Sequence, residues 1–343
     1  MESATDTLSM CYQNQTTGLN TLTKIDIVVV IGELIIMVIS LFGNALVIAA
    51  VHRYRRLRNT TNKLVCSLAL SDIGVGLCFP FLILFNLLPQ IKEHRMACIF
   101  RYQLIICMVS ISQFTLVLVS VDRFVAIHFP LRYHALLSRN RVTAMIVSVW
   151  IYSVAIAVIP MFGMNEWQSY SWAKCELENI LPAPYSLTLT LHFFATSLIM
   201  VCLYARVFIL ARRHAQRIRL ECNGYCSNLK YKTRLSKATM TLCLVLGVFI
   251  LSWLPFYVTI VAYEVRRLRG GIDPSLQRLL INLRMMTSII GLANSMWNPM
   301  IYAGKNRDFR LAFKRLLYMD MRGSPEFLHR RRSSIISNPA FTA

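Results

Sequence analysis

The side chains of this sequence that could do chemistry are a few charged residues set in long apolar stretches. Glu33 and Asp72 each interrupt such a stretch. An ionisable group buried in an apolar span is costly, so each is a candidate functional residue by default. Asp122 and Arg123 are adjacent at the end of a third stretch, where they can either pair or separate. Among the seven histidines there is no metal-ligand or nucleophile spacing, and no enzyme signature is present.

Two arginines are candidates for binding an anion. Arg101 lies one helical turn after Cys98, and Arg284 lies near the start of the last apolar stretch. A guanidinium suits a carboxylate or a phosphate, with two hydrogen bonds where the geometry allows. The alternative is a solvated basic rim in which Arg284 pairs with Glu264 or Glu178.

Long helices must position these residues. The chain has 343 residues, of which 56% are hydrophobic and 15% charged, against about 25% charged in an ordinary soluble domain. A helix crosses a membrane with about 20 apolar residues, and in lipid such segments satisfy their backbone groups as helices. The predicted fold is therefore an all-α membrane protein, a bundle of seven transmembrane helices. The predicted spans are 26–51, 64–88, 98–123, 142–162, 185–210, 238–262 and 279–303.

The placement of charge predicts the orientation. The net charge is +21, and most of the 37 Lys and Arg residues lie in alternate connections and in the C-terminal segment. The positive-inside rule places those segments in the cytoplasm and the N-terminus outside. The basic surplus is then a topology signal and a contact for anionic lipid headgroups, not a nucleic-acid site.

The chain divides into a tail, a bundle and a C-terminal segment. Residues 1–24 are predicted to form an extracellular tail with a glycosylation sequon at Asn14, and residues 25–303 the seven-span domain. Residues 304–343 are predicted to form a short amphipathic helix and a disordered tail. Cys98, at the outer end of the third span, and Cys175, in a loop, both lie on the oxidising side, so they are candidates for a disulfide.

Several motifs, each on its own span and in order, resemble those of class A (rhodopsin-like) G-protein-coupled receptors. The motifs are Gly43-Asn44, Leu68-Ala69-Leu70-Ser71-Asp72, Asp122-Arg123-Phe124, Trp150, Trp253-Leu254-Pro255 and Asn298-Pro299-Met300-Ile301-Tyr302. The resemblance covers nearly the whole chain. It implies a plasma-membrane receptor that passes an extracellular signal to a heterotrimeric G protein. An arrestin-type adaptor and a receptor kinase are the further partners implied.

The resemblance also implies roles for particular residues. The G-protein coupling switch would comprise Asp122, Arg123, Tyr204 and Tyr302, and the activation relay Trp253, Pro255, Phe249, Asn298 and Pro299. A sodium pocket would comprise Asp72, Ser112, Asn294 and Asn298, with Asp72 as the anionic ligand; the alternative is a water-filled polar network. No cofactor is implied beyond this allosteric ion. Many relatives have a glutamate low on the sixth span that locks the switch arginine, and Leu235 stands there in this chain.

Within the class, the chain most resembles adenosine receptors, but mainly in its cytoplasmic half. Glu33 stands eleven residues before Asn44, as it does in that subfamily, and Glu178 also matches. The ring-stacking Phe is replaced by Leu177 and the adenine-binding Asn by Ile260. Gly291-Leu292 replaces the ribose-binding Ser-His pair. The ligand-binding candidates are Arg101, Ile105, Val109, Leu177, Glu178, Phe256, Tyr257, Ile260, Arg284 and Ser288.

These departures leave several functions open. Loss of the stacking and amide contacts argues against adenosine, and Ile105, where aminergic receptors have Asp, argues against a simple amine. Lysophospholipid receptors have an Arg at the position of Arg101, which favours an anionic lipid or a carboxylate or phosphate ligand. A constitutively active receptor is a further alternative. The alternative outside the receptors is a seven-span transporter, which predicts charged pairs at several mid-span positions.

Overall fold

The computed structural model describes residues 24–88, 90–91, 94–166, 175, 177–221, 229–269 and 273–317. Within these residues seven helical segments are long and apolar enough to cross a membrane, and no strand is present. The first six spans are Lys24–Arg53, Thr60–Leu87, Arg95–His128, Arg139–Val158, Ala183–Glu221 and Leu229–Leu268. The seventh comprises Pro274–Leu292 and Asn294–Lys305. The predicted all-α seven-span bundle is confirmed.

Side chains at the helix starts satisfy free backbone N–H groups, as capping requires. The Asn59 side chain accepts a hydrogen bond from the Asn62 N–H at 2.8 Å, at the start of the second span. Asp273 caps the seventh span, because its carboxylate accepts a hydrogen bond from the Ser275 N–H at 3.0 Å. Hydrogen bonds from Ser275 and Leu276 to this exposed carboxylate lower the pKa of Asp273.

The third span lies at the centre of the bundle and packs against the second, fourth, fifth and sixth spans. Trp150 of the fourth span donates its indole N–H to the Ser67 hydroxyl of the second at 3.1 Å. The outer faces of the spans expose large apolar side chains such as Ile151, Leu191 and Leu251. A soluble protein rarely exposes so many, whereas lipid would cover them.

The bundle has two chemically different ends. A disulfide joins Cys98, at the start of the third span, to Cys175, between the fourth and fifth spans, with the Cα atoms 5.7 Å apart. We refer to this end as the Cys98 end. Asp122 and Arg123 lie near the other end of the same helix, about 37 Å away at 1.5 Å per residue. We refer to it as the Asp122 end.

Short helices cover the Asp122 end. The loop after the third span contains the helices Pro130–Arg132 and Tyr133–Leu136, and the predicted amphipathic helix forms at Arg307–Leu317. Phe309 of this last helix stacks on Tyr302, with the ring centroids 5.3 Å apart. Asp308 forms an ion pair with Arg56 at 3.4 Å. The C-terminal helix is thus packed against the first and seventh spans.

The seventh span differs from the single helix predicted over 279–303, because it is divided at Ala293. Two local features account for an irregular helix here. Pro299 has no N–H to donate to the Ser295 carbonyl, and that carbonyl instead accepts a hydrogen bond from the Asn44 side chain at 2.9 Å. The Ser295 hydroxyl donates to the Leu292 carbonyl at 2.8 Å, across the division.

Candidate functional site

At the Asp122 end, both oxygens of the Asp122 carboxylate are occupied. Arg123 donates its Nε–H to Asp122 Oδ2 at 2.9 Å, and its Nη2 also contacts that oxygen. The Thr61 hydroxyl donates to Oδ2 at 2.9 Å and itself contacts Arg123 Nη2. The Tyr133 hydroxyl donates to the second oxygen, Oδ1, at 2.7 Å. Because Asp122 and Arg123 are 1% and 8% exposed, this is a buried pair held by two further side chains; we refer to the four residues as the Asp122 network.

Tyr133 is a stable donor in this network. Burial raises the pKa of its hydroxyl to about 12, and the nearby Asp122 carboxylate adds to the effect. The phenol therefore remains protonated throughout the physiological pH range, so the hydrogen bond to Asp122 does not titrate there.

The other two predicted switch residues do not contact Arg123 through hydrogen bonds. Tyr204 and Tyr302 are buried, and neither hydroxyl has a hydrogen-bond partner in the described part of the chain. Arg123 is therefore held on the Asp122 side, while two buried phenols have unused hydrogen-bonding capacity. Such an arrangement suits one state of a two-state element.

In the centre of the bundle, the predicted sodium-pocket residues lie together around Asp72. Asn298 donates its side-chain N–H to Asp72 Oδ2 at 2.6 Å. Asp72, Ser112 and Asn294 line a cavity of about 10 Å³, close to the volume that one water molecule needs. Within the residues that the structure describes, the buried Oδ1 atoms of Asn294 and Asn298 have no hydrogen-bond partner. One carboxylate and two orphaned amide oxygens are the ligand chemistry that a hard cation prefers.

The predicted relay residues lie above and below this cavity. Trp253 lines it and packs against Gly291 so closely that a Cβ atom there would lie 2.7 Å from the indole ring. Phe249, one turn from Trp253, is fully buried and lines the same cavity. Pro255 lies within the sixth span, and Pro299 packs against Gly43, where an added Cβ would lie 2.6 Å away.

A polar contact joins the third and fifth spans. Gln113 donates to the Thr196 hydroxyl and, at 3.3 Å, to the His192 carbonyl. Thr196 donates in turn to its own helix, to the His192 carbonyl at 2.6 Å.

Most of the ligand-binding candidates form an apolar surface around Trp253. Tyr257 stacks on Phe193 at 4.2 Å between ring centroids. The members of the shared apolar cluster are Ile105, Val109, Leu177, Phe256, Tyr257 and Ile260. Ser288 uses its hydroxyl within its own helix, donating to the Met285 carbonyl at 2.7 Å. The surface therefore offers contact area but few polar groups.

The charged candidates lie closer to the Cys98 end. The Arg101 guanidinium is stacked between Phe85 and Tyr102, at 5.1 and 5.2 Å from their ring centroids. Arg284 is buried and lies 5.0 Å from the ring centroid of Tyr263. The two arginines thus lie against different aromatic residues.

Three predicted features lie outside what the structure describes. Asn14 belongs to the tail that precedes the described residues, and the side chains of Glu178 and Leu235 are not described, although both residues lie in helices. Their roles remain predictions.

Two residues of the Asp122 network were missed by the sequence reasoning. Thr61 lies at the start of the second span and Tyr133 in the loop after the third, and neither is charged or part of a quoted motif. The available signal was their position at either side of the Asp122 end, but only the folded chain brings them within hydrogen-bonding distance of Asp122.

Comparison with known proteins identifies the class. The family model for the seven-transmembrane receptor (rhodopsin family) matches residues 43–302, and the chain belongs to this family. It is therefore a G-protein-coupled receptor and a multi-pass protein of the plasma membrane, and the resemblance seen in the motifs is confirmed.

The relatives include receptors with different ligands in their names. The chain is 33% identical over 306 residues to the histamine H2 receptor of Homo sapiens, covering 87% of this chain and 80% of that protein. It is 31% identical over 309 residues to the adenosine receptor A2b of Homo sapiens, covering 83% of this chain and 88% of that protein. It is 30% identical over 315 residues to the adenosine receptor A2b of Bos taurus, covering 85% of this chain and 90% of that protein.

Proposed function

We propose that this protein transmits the binding of a small extracellular ligand at the Cys98 end to a heterotrimeric G protein at the Asp122 end. The observation that carries the proposal is the Asp122 network, in a chain of this family. A buried ion pair that is held by two neutral side chains from other elements can be released as a unit. Its release would expose a positive charge and a carboxylate at the face of the bundle that a G protein would contact.

The proposed mechanism is a shift between two populations. In the closed state Arg123 is held by Asp122 and Thr61. Ligand contact near Trp253 would favour outward movement of the sixth span, so that Arg123 leaves Asp122. A ligand shifts this equilibrium only by its difference in affinity for the two states.

A sodium ion is the proposed occupant of the central cavity. Asp72, Ser112, Asn294 and Asn298 would hold it, and it would supply a positive charge that compensates the buried Asp72 carboxylate. The orphaned Oδ1 atoms of the two asparagines support this assignment. The ion would stabilise the closed state, because it fits the geometry described above.

The orientation is proposed from charge and redox chemistry. Basic residues are concentrated in the connections at the Asp122 end, which the positive-inside rule places in the cytoplasm. The disulfide at the opposite end suits the oxidising exterior. An arrestin-type adaptor, a receptor kinase and anionic lipids are proposed as further partners at the cytoplasmic face.

The ligand is proposed to be neither histamine nor adenosine, the molecules in the names of the relatives. The third-span position for an amine's carboxylate is Ile105, so an amine would lack its usual counter-ion. Leu177 and Ile260 supply apolar contact where adenosine would need a stacking ring and an amide. Loss of a hydrogen-bonding partner for a polar ligand discriminates strongly against that ligand.

Basal activity tests the proposal. The sequence places Leu235 where a glutamate would lock Arg123, so the closed state depends on the Asp122 network, and nucleotide exchange is expected without ligand. We expect Leu235→Glu to lower basal guanine-nucleotide exchange on purified G proteins several-fold in membranes that contain equal amounts of receptor. Leu235→Gln, which adds length without charge, is the matched control. Unchanged exchange with Leu235→Glu would contradict the proposed lock.

A further inference from the structure

Glu33 and Arg101 are two opposite charges near the Cys98 end that are not joined to each other. Glu33 is 4% exposed, and its buried Oε2 has no hydrogen-bond partner among the described residues. The buried Arg101 Nε likewise has none in that part of the chain. Arg101 is close enough for its positive charge to act on Glu33, yet the described residues include no ion pair between them.

The aromatic neighbours of Arg101 fix its position but do not satisfy it. The rings of Phe85 and Tyr102 lie 5.1 and 5.2 Å from the guanidinium carbon, and the Tyr102 hydroxyl donates a hydrogen bond to the Cys175 carbonyl at 3.0 Å. Aromatic rings attract a guanidinium through their π faces and accept none of its N–H groups in an ordinary hydrogen bond. The Arg101 Nε–H therefore still needs an acceptor.

The two groups lie in the same part of the bundle. Glu33 is nine residues into the first span and Arg101 six residues into the third, so they lie about 14 and 9 Å from the starts of their helices at the Cys98 end. A ligand that entered from this end would therefore meet Arg101 first and Glu33 about one helical turn deeper.

We infer that this site binds a small zwitterion, with a carboxylate or phosphate on Arg101 and an ammonium on Glu33. A ligand with one charge would leave the other protein charge buried and unpaired, which is strongly unfavourable. A zwitterion compensates both and leaves the complex neutral. Glu33 then supplies the amine counter-ion that the third span lacks at Ile105. This inference rests on the proposed function, since it names the ligand class of the receptor.

The test measures binding without signalling. The purified full chain in lipid nanodiscs is heated with ω-amino acids that have about one to seven methylene groups, which covers charge separations up to roughly 10 Å. Fatty acids and alkylamines of matched length are the single-charge controls. We expect at least one zwitterion to raise the melting temperature, with the matched acid and amine at least about thirty-fold weaker.

Variants test whether Glu33 and Arg101 bind the two charges of the ligand. Glu33→Gln and Arg101→Gln should each weaken binding of the zwitterion at least about thirty-fold. Arg95→Gln and Glu166→Gln, at exposed positions of the same end, should leave its affinity unchanged. The double reversal Glu33→Arg with Arg101→Glu should restore binding relative to either single reversal, since a linear zwitterion can bind in the opposite direction. This arm keeps the inference testable if a single variant fails to fold.

Three results would overturn the inference: no zwitterion of the series stabilises the receptor, a matched fatty acid or amine binds as tightly, or the Glu33 and Arg101 variants bind normally. The experiment separates this inference from the proposed function. Zwitterion binding without nucleotide exchange would contradict only the proposed function. Nucleotide exchange without zwitterion binding would contradict only the ligand class.

Discussion

At the scale of single residues, the proposed mechanism makes the Asp122 carboxylate the group that determines how firmly the closed state is held. This carboxylate accepts hydrogen bonds from Arg123, Thr61 and Tyr133. A hydrogen bond to a charged group contributes about 1.5–3 kcal/mol. Removing one donor therefore weakens the closed state by an amount comparable to the few kcal/mol that separate the states of a switch.

Tyr133→Phe is expected to raise basal nucleotide exchange about tenfold, if the lost hydrogen bond contributes about 1.4 kcal/mol to the closed state. The measurement is exchange in membranes without ligand. Tyr54→Phe, at the same end but outside the Asp122 network, is the control and should have no effect. A basal rate that is unchanged by Tyr133→Phe would show that the phenol does not hold Asp122.

The raised pKa of Tyr133, about 12, sets the pH dependence of this effect. A raised pKa means that the phenol's contribution to the closed state is fully present below about pH 10, its ordinary value, and is lost as the pH rises toward 12. The ratio of exchange rates between Tyr133→Phe and the unchanged chain should therefore be constant from about pH 6 to 9. A ratio that decreases between about pH 6 and pH 9 would contradict the assignment.

The residue scale also shows where sequence reasoning stops. Asp122 and Arg123 could be predicted because they are neighbours in sequence at the end of a span. Thr61 and Tyr133 could not, because they reach Asp122 only when the second span and the loop helix are folded against the third. Likewise, Glu33 and Arg101 were recognised separately, and only the folded chain brings their charges near one another.

At the scale of elements, Gly291 determines how the seventh span meets Trp253. A Cβ at this position would lie 2.7–2.9 Å from three indole carbons, closer than real contacts allow. The glycine thus gives Trp253 its place beside the Asp72 cavity. This chain thus uses the position for packing against the indole.

Gly291→Ala is expected to displace Trp253, to destabilise the receptor by about 1–3 kcal/mol, as overpacking does, and to change basal exchange. Gly247→Ala is a matched control, because a Cβ at Gly247, also in a span, would meet no atom within 4 Å. The measurements are the melting temperature and basal exchange of both variants. Equal behaviour of the two variants would contradict the close packing of Trp253 on Gly291.

The elements themselves were largely predictable. Seven apolar stretches of spanning length give seven helices, because a lipid-exposed backbone has no other way to satisfy its polar groups than a helix or a closed barrel. The division of the seventh span at Ala293 was not predictable from hydropathy. It accompanies side-chain hydrogen bonds from Asn44 and Ser295, which depend on how the first and seventh spans pack.

At the scale of the whole molecule, the Asp72 cavity lies between the Cys98 end, where we propose that the ligand binds, and the Asp122 end, where we propose that the G protein binds. The Asn298 side chain, from the seventh span, already donates to Asp72 of the second. An ion in the cavity would therefore bind elements that must move relative to one another. Sodium is expected to favour the closed arrangement and to oppose basal exchange.

Asp72→Asn is expected to abolish stabilisation by sodium. At a sodium concentration ten times its dissociation constant, an ion that binds only the folded receptor stabilises it by about 1.4 kcal/mol. The melting temperature is measured in sodium chloride against choline chloride at equal ionic strength. Asp308→Asn, at a surface ion pair, should retain the sodium effect. A sodium effect that persists in Asp72→Asn would place the ion elsewhere.

The most direct test of the account combines two substitutions in one chain: one that frees Arg123 from the Asp122 network and one that removes Arg123. Basal guanine-nucleotide exchange is measured for Tyr133→Phe, Arg123→Ala and the double variant, with Arg132→Ala as the control. The account predicts that Tyr133→Phe raises exchange, Arg123→Ala abolishes it, and the double variant is as inactive as Arg123→Ala, because the phenol acts only by holding the pair that contains Arg123. If the double variant retained the raised exchange of Tyr133→Phe, the Asp122 network would not be the switch.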